Sequence, residues 1–204
     1  MLGWSPGTDQ ELFNMDELIK AFSIEKVSKS GAKFDFEKAK WFNQQYIKNY
    51  SIEKLTEIYL EVLNKEGITC SFEKAQKITS LMQERVFFPS EIYTNAKYFF
   101  KAPEAYDQKV AKKKWNTEMV EVLKVYAEAI QKLHSFDESI AKEKLLEILE
   151  KQEMGLGKVM PPLRLAVTGV GGGPDLMPLL VVLGKDEVAD RLIKAIEDLA
   201  EYLR

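Results

Sequence analysis

Apolar residues recur along this chain at the spacing of amphipathic helices. Between positions 55 and 63 they stand at i, i+3, i+4, i+7 and i+8, which forms a single apolar stripe on a helix. The same periodicity returns between 119 and 133, between 140 and 149, and from 188 to 199. The alternation of a half-buried strand is nearly absent, and the short run Leu179 to Leu183 fits a buried helix equally well. We therefore predict an all-α chain.

Residues that cap or interrupt helices stand between these stripes. Asn14 and Glu17 have capping-box spacing, and further residues suited to an N-cap precede later stripes: Asp35, Ser51, and either Asn116 or Thr117. Breaks in the pattern fall at Ser30-Gly31, Phe88-Pro89, Ala102-Pro103 and Gly169 to Pro174. The spacing predicts a bundle of about ten helices. A boundary between two helical units is predicted near Pro103.

Composition narrows the classes of function. The chain has no apolar run long enough to cross a bilayer and no basic-then-apolar leader after Met1, so we expect a cytoplasmic protein without a membrane partner. One cysteine, Cys70, and one histidine, His134, exclude a disulfide framework and a His–His metal pair. The net charge of −3 argues against coating nucleic acid through phosphate contacts alone. RNA binding would have to rest on a few specific contacts.

Glycine is concentrated between Gly169 and Pro174, a pattern that can cradle a phosphate through backbone N–H groups. A P-loop needs a closing Gly-Lys-Ser/Thr, and a dinucleotide fingerprint needs a third glycine where Pro174 stands. Neither is present. We interpret the stretch as a flexible loop between two helices.

Lys26-Val27-Ser28-Lys29-Ser30 resembles the KMSKS loop of class I synthetases, whose lysine steadies the adenylate phosphates. The chain has no HIGH-like partner motif and no nucleotide-binding fold, so we interpret this segment as a turn between two short helices. The cluster Lys112 to Lys114 beside Trp115 is a candidate contact for a phosphate backbone. The alternative is an ordinary solvated cluster of lysines.

Two longer stretches carry a specific resemblance. The first begins with Leu2-Gly3-Trp4-Ser5-Pro6-Gly7 and continues through Glu11-Leu12-Phe13, Phe34-Asp35-Phe36-Glu37-Lys38 and Trp41-Phe42-Asn43-Gln44-Gln45-Tyr46-Ile47. The second is Gly157-Lys158-Val159-Met160-Pro161-Pro162-Leu163-Arg164-Leu165-Ala166-Val167-Thr168-Gly169. Together they resemble the bacterial glutamyl-tRNA synthetases. The resemblance runs from Gly3 to the end of the chain and is weakest between about Cys70 and Ile140.

The resemblance implies a C-terminal fragment with glutamate tRNA as its partner. Residues 1–50 resemble part of the stem-contact region, residues 51–105 a first helical anticodon-binding subdomain, and residues 106–204 a second. In that family an upstream domain attaches glutamate to tRNA, using ATP and Mg²⁺. We therefore expect this chain to be a cloned, monomeric fragment that is catalytically inactive alone. We expect it to have no catalytic residue, cofactor or metal of its own.

Three residues correspond to the family's anticodon readers. Arg85 matches an arginine that reads the third anticodon base, which separates glutamate from glutamine anticodons, and Arg164 matches the Pro-Leu-Arg arginine that contacts the first base. Leu176 matches a leucine near that first base. A planar donor fork suits the edges of unstacked bases. From the residues alone, Arg85 could instead be a helix-end arginine that neutralises the helix dipole. Arg164 could be a surface charge on a helix whose first turn holds Pro161-Pro162, and Leu176 an ordinary core leucine.

Two rival classes stay open at the level of sequence. The apolar stripes would also suit a helical module that binds another protein. A complete enzyme would need a pocket of coupled ionisable groups, and the sequence offers no such cluster.

Overall fold

The computed structural model describes residues 3–203. Met1 and Leu2, where the first stretch of resemblance begins, and Arg204 lie outside the described residues. Within 3–203 the chain forms eleven α-helices, which confirms the all-α prediction. The helices are α1 Met15–Ala21, α2 Phe36–Asn49, α3 Ile52–Lys65, α4 Phe72–Met82, α5 Ser90–Asn95, α6 Gln108–Lys114, α7 Thr117–Gln131, α8 Glu138–Lys151, α9 Leu156–Thr168, α10 Leu176–Leu183 and α11 Lys185–Asp198. Short 3₁₀ turns lie at Ile24–Lys26, Gln83–Arg85, Lys97–Phe99 and Ala200–Tyr202.

Side-chain caps fix where several of these helices begin. At α1 the Asn14 side chain accepts the Glu17 N–H at 2.9 Å, and the Glu17 carboxylate accepts the Asn14 N–H at 2.9 Å, as the capping-box spacing predicts. Asp35 and Ser51 cap α2 and α3 through side chains that accept the Lys38 and Lys54 N–H groups. Asn116, and not Thr117, caps α7 by accepting from the Met119 N–H. Each such cap contributes about 1 kcal/mol.

The prediction that Pro161-Pro162 occupy the first turn of a helix is wrong. Helix α9 begins earlier, at Leu156, and both prolines lie inside it. Apolar residues at helical spacing explain the earlier start, because Val159 in the first turn and Leu163 one turn further on are fully buried against the core. Arg164 consequently lies in the third turn of α9, away from the helix N-terminus.

The core is continuous from Ile47 to Leu199. Helix α11 packs against α7 and α9 in the C-terminal part, and α3 packs against α4 in the N-terminal part. Helix α10 contacts both α8 and α4, and thereby joins the two parts. The subdomain boundary at residue 105 stays a prediction. The packing nevertheless means that segments on its two sides share one core.

Residues 3–35 form a smaller unit beside α2. Trp4 packs against Phe13 and Phe22, with ring centroids 6.4 and 5.7 Å away, and pairs with Val27 in an isolated antiparallel bridge. The Ser28 N–H donates to the Gly3 carbonyl at 2.7 Å. The KMSKS-like segment thus pairs with the chain at Gly3 and Trp4, and it forms part of the turn between α1 and α2.

Candidate nucleic-acid interface

Arg85 is presented at the end of a braced 3₁₀ turn. Helix α4 ends at Met82, and the turn Gln83–Arg85 follows it directly. The Gln83 amide donates to the carbonyl oxygens of Ile47 and Tyr50 at 2.9 and 3.0 Å, which ties the turn to the end of α2. The Arg85 side chain is exposed. The backbone below it is therefore fixed while the guanidinium faces solvent.

Arg164 is placed differently, because its guanidinium is half-buried. Its Nη1 atom is buried and has no hydrogen-bond partner among residues 3–203. Burial lowers the pKa of Arg164; Tyr98 opposes this, while the charge of Arg85 lowers the pKa further. A donor held without a partner is ready to bond an acceptor brought by a ligand.

The fold brings Arg85 and Arg164 together, although they lie in segments far apart in the chain. Arg85 and Arg164 are close enough for their charges to interact, and Tyr98 interacts with both. We call Arg85 and Arg164 the arginine pair. Two like charges are unfavourable neighbours in the free protein, and an electron-rich ligand would relieve that repulsion.

The glycine-rich segment Gly169–Asp175 connects α9 to α10 and packs on protein atoms. Gly169 ends α9 with a φ of 77°, and a Cβ there would stand 2.6 Å from the Ala105 carbonyl oxygen. A Cβ at Gly173 would stand 3.0 Å from Arg164 Nη1 and 3.5 Å from the Tyr98 hydroxyl. The loop therefore lies directly over Arg164.

Leu176 is the first residue of α10, and its side chain is 2% exposed in the core. Asp175, immediately before it, interacts electrostatically with Arg164. The charges of Arg85 and Arg164 are thus within electrostatic reach of each other, whereas the Leu176 side chain is packed in the core. Leu176 anchors the end of the loop that covers Arg164.

Two residues that sequence reasoning missed support this site. Arg191 is 3% exposed, and its Nη1 donates to the carbonyl oxygens of Tyr98 and Val167 at 2.6 and 2.7 Å. Its Nε donates to Glu187 at 2.6 Å. A signal existed for Arg191, because it shares the apolar stripe of α11 with Val188 and Leu192. Nothing in the sequence around Tyr98 distinguishes it.

The other basic cluster offers less to a nucleic acid. Lys112 to Lys114 lie exposed in the last turn of α6, where the helix dipole stabilises positive charge. Trp115 is 3% exposed and packs in the core, so its ring is not free to stack on a base.

In residues 3–203 no group of three or more His, Cys, Asp or Glu side chains is arranged to hold a metal ion. None of the helices described there combines the length and apolar character needed to span a bilayer.

These features define an all-helical domain in which arginines from two distant segments lie within electrostatic reach of each other. The profile of a known family, described as "Anticodon binding domain", matches residues 36–196. The chain belongs to this family.

Proteins similar to the chain are curated as glutamate–tRNA ligases. The relative from Cytophaga hutchinsonii is 44% identical over 98% of this chain and 39% of its own length. That from Porphyromonas gingivalis strain W83 is 40% identical over 97% of this chain and 39% of its own length. The chain therefore spans about 39% of the relatives it matches.

Solved structures agree with this comparison. The crystal structure of a glutamate tRNA ligase from Elizabethkingia meningosepticum, in complex with its amino acid, superposes with a TM-score of 0.90 at 45% identity. The alignment covers 98% of this chain and 39% of that one. The glutamate-tRNA synthetase from Elizabethkingia anophelis gives a TM-score of 0.85 at 45% identity, covering 97% and 39% of the two chains.

Proposed function

We propose that this chain recognises the anticodon loop of glutamate tRNA, as the anticodon-binding part of a glutamate–tRNA ligase. One observation carries the proposal: the buried Arg164 Nη1 atom has no hydrogen-bond partner among residues 3–203, in a segment that matches the anticodon-binding family. Family membership and the printed names of the relatives support the same partner. Arg85 reads the third anticodon base, Arg164 reads the first, and Leu176 lies near that first base at the end of the loop beside Arg164.

The ligase activity belongs to the longer protein. We expect ATP and Mg²⁺ to act in the part of the longer protein that this chain does not cover, since the chain spans 39% of the Cytophaga hutchinsonii relative. We expect neither group to bind within this chain. The Lys26 ammonium donates to the Pro6 carbonyl at 3.1 Å, and residues 3–203 offer no acidic or histidine cluster for a metal. The chain alone is a catalytically inactive monomer, and the parent enzyme works in the cytoplasm.

The test is a binding series with Arg85→Ala and Arg164→Ala on tRNA carrying the glutamate anticodon and its first- and third-base variants. Each truncation should cost about 1–3 kcal/mol with the natural anticodon, the usual range for a base contact. The loss should be base-selective, with Arg85→Ala relaxing the third position and Arg164→Ala the first. Affinities are measured at one fixed salt concentration, because phosphate contacts depend on salt.

Lys29→Ala is the matched control, because Lys29 is an exposed cation in the KMSKS-like turn, outside the arginine pair. Binding by this variant should equal that of the unmodified chain. Equal weakening of all anticodon variants by both arginine substitutions would reduce Arg85 and Arg164 to phosphate contacts. An unchanged affinity for both would favour the rival function, a helical module that binds another protein.

A further inference from the structure

Two unpartnered buried atoms meet beneath the glycine loop. Neither the Tyr98 hydroxyl nor Arg164 Nη1 has a hydrogen-bond partner within residues 3–203, and both atoms are buried. Both lie within 3.5 Å of the point where a Gly173 Cβ would stand. A buried polar group without a partner costs about 1–3 kcal/mol, so two at one point call for an explanation.

Tyr98 is held firmly in this place. Its side chain is 8% exposed, and its ring packs against Phe99 with centroids 4.9 Å apart. Its carbonyl accepts from Arg191 at 2.6 Å. Burial raises the pKa of Tyr98 to about 12, so the hydroxyl stays protonated and can donate a hydrogen bond. The group is thus a fixed, protonated donor beside Arg164.

The glycine loop covers these two donors, and its outer residues face solvent. Gly171, Gly172 and Gly173 are exposed, and a Cβ at Gly172 would meet nothing within 4 Å. Gly173 has a φ of 146°, a conformation that favours glycine. Three consecutive glycines give the backbone the freedom to move aside at small steric cost.

We infer that Tyr98 is a further base-contacting residue, whose hydroxyl donates together with Arg164 Nη1 to one nucleobase edge when Gly171–Gly173 moves aside. The ligand is the acceptor-bearing edge of an unstacked base, the first anticodon base that Arg164 contacts. This inference rests on the proposed function. It explains why two buried donors are left unpaired in the free chain: their partner is the RNA.

The test compares Tyr98→Phe with Tyr59→Phe. Both hydroxyls are buried and unpartnered, but Tyr59 belongs to α3 and none of its atoms lies within 4 Å of the point where a Gly173 Cβ would stand. Removing an unpaired hydroxyl should leave thermal stability unchanged or raised in both variants. Only Tyr98→Phe should weaken binding of tRNA with the glutamate anticodon, by roughly 5- to 20-fold for one lost base hydrogen bond. That loss should shrink in tRNA with a changed first base, and in the Arg164→Ala background.

The outcomes separate this inference from the function on which it rests. Normal binding by Tyr98→Phe, with binding lost in Arg164→Ala, overturns the role of Tyr98 and leaves anticodon recognition standing. An equal loss in Tyr59→Phe also overturns it, because the effect would then be a general one on the core. If the unmodified chain does not distinguish anticodon variants, the proposed function fails and this inference fails with it.

Discussion

Arg164 and Arg191 show how differently one side chain can be used within the same helical core. Arg191 donates to Tyr98, Val167 and Glu187 and is fully engaged in holding the fold. Arg164 leaves a buried nitrogen unpaired. Because arginine carries several donors in a rigid plane, it can join two backbone segments in one case and wait for a ligand in the other.

Arg191→Met should lower the free energy of unfolding by about 3 kcal/mol, since it leaves two backbone carbonyls without their charged donor. Because those carbonyls belong to Tyr98 and α9, tRNA affinity should fall as well. Chemical denaturation and tRNA binding measure the two effects. Lys194→Met is the control on the same helix, since its ion pair with Asp198 is exposed. Equal stability of Arg191→Met and the unmodified chain would contradict the role assigned to Arg191.

At the scale of the element, the connection between α9 and α10 is determined by its glycines. Gly169 adopts a left-handed φ of 77° and faces the Ala105 carbonyl oxygen and Pro103. Its own carbonyl accepts the Asp107 N–H at 2.8 Å, at the start of α6. The end of α9 is therefore seated directly on the segment that leads into α6.

Gly169→Ala should destabilise the chain by more than about 2 kcal/mol, because the added Cβ combines left-handed strain with a clash against backbone. Gly172→Ala is the matched substitution in the same loop, and its Cβ would meet nothing within 4 Å. Thermal unfolding of the two variants makes the comparison. Similar melting temperatures for both would show that the loop adapts more easily than its contacts indicate.

Elements with long apolar stripes and clear caps could be predicted from the sequence. Helices α3, α7, α8 and α11 fall where periodicity and the cap residues Ser51 and Asn116 indicate. The start of α9 could not be predicted correctly, because a proline pair is typical of a first turn and only the packing of Val159 shows otherwise. Arg85 and Arg164 could be identified as site residues only through the resemblance to the glutamyl-tRNA synthetases. The approach of Tyr98 to Arg164 depends on tertiary packing, which no local pattern records.

At the scale of the whole molecule, buried tyrosines tie stability to alkaline pH. Burial raises the pKa of Tyr59 and Tyr126, and raises those of Tyr98 and Tyr106 to about 12. Unfolded tyrosine ionises near about pH 10. The folded state therefore favours the neutral hydroxyl. The resulting contribution to the free energy of unfolding is fully present below about pH 10 and is lost as the pH rises toward about 12.

The urea concentration at the midpoint of unfolding should accordingly decrease as the pH rises from about 9 to about 11. Tyr126→Phe should reduce this pH dependence, although it also removes the hydroxyl's bond to the Ala141 carbonyl at 3.0 Å and so lowers stability at neutral pH. Tyrosinate absorbance in the folded and unfolded chain follows the ionisation itself. An unfolding midpoint that does not change over this pH range would count against the buried hydroxyls as its source.

The meeting of Arg85 with Arg164 has a consequence for inheritance and for engineering. Each arginine is supported by its own segment, Arg85 by α4 and α2 and Arg164 by α9 and α11, while α10 spans the joint between them. A chimaera that exchanges one segment alone would transplant one arginine without the neighbours that orient the other. On the proposed function, the unit of specificity that can be exchanged between relatives is the whole helical array and not either of its two parts.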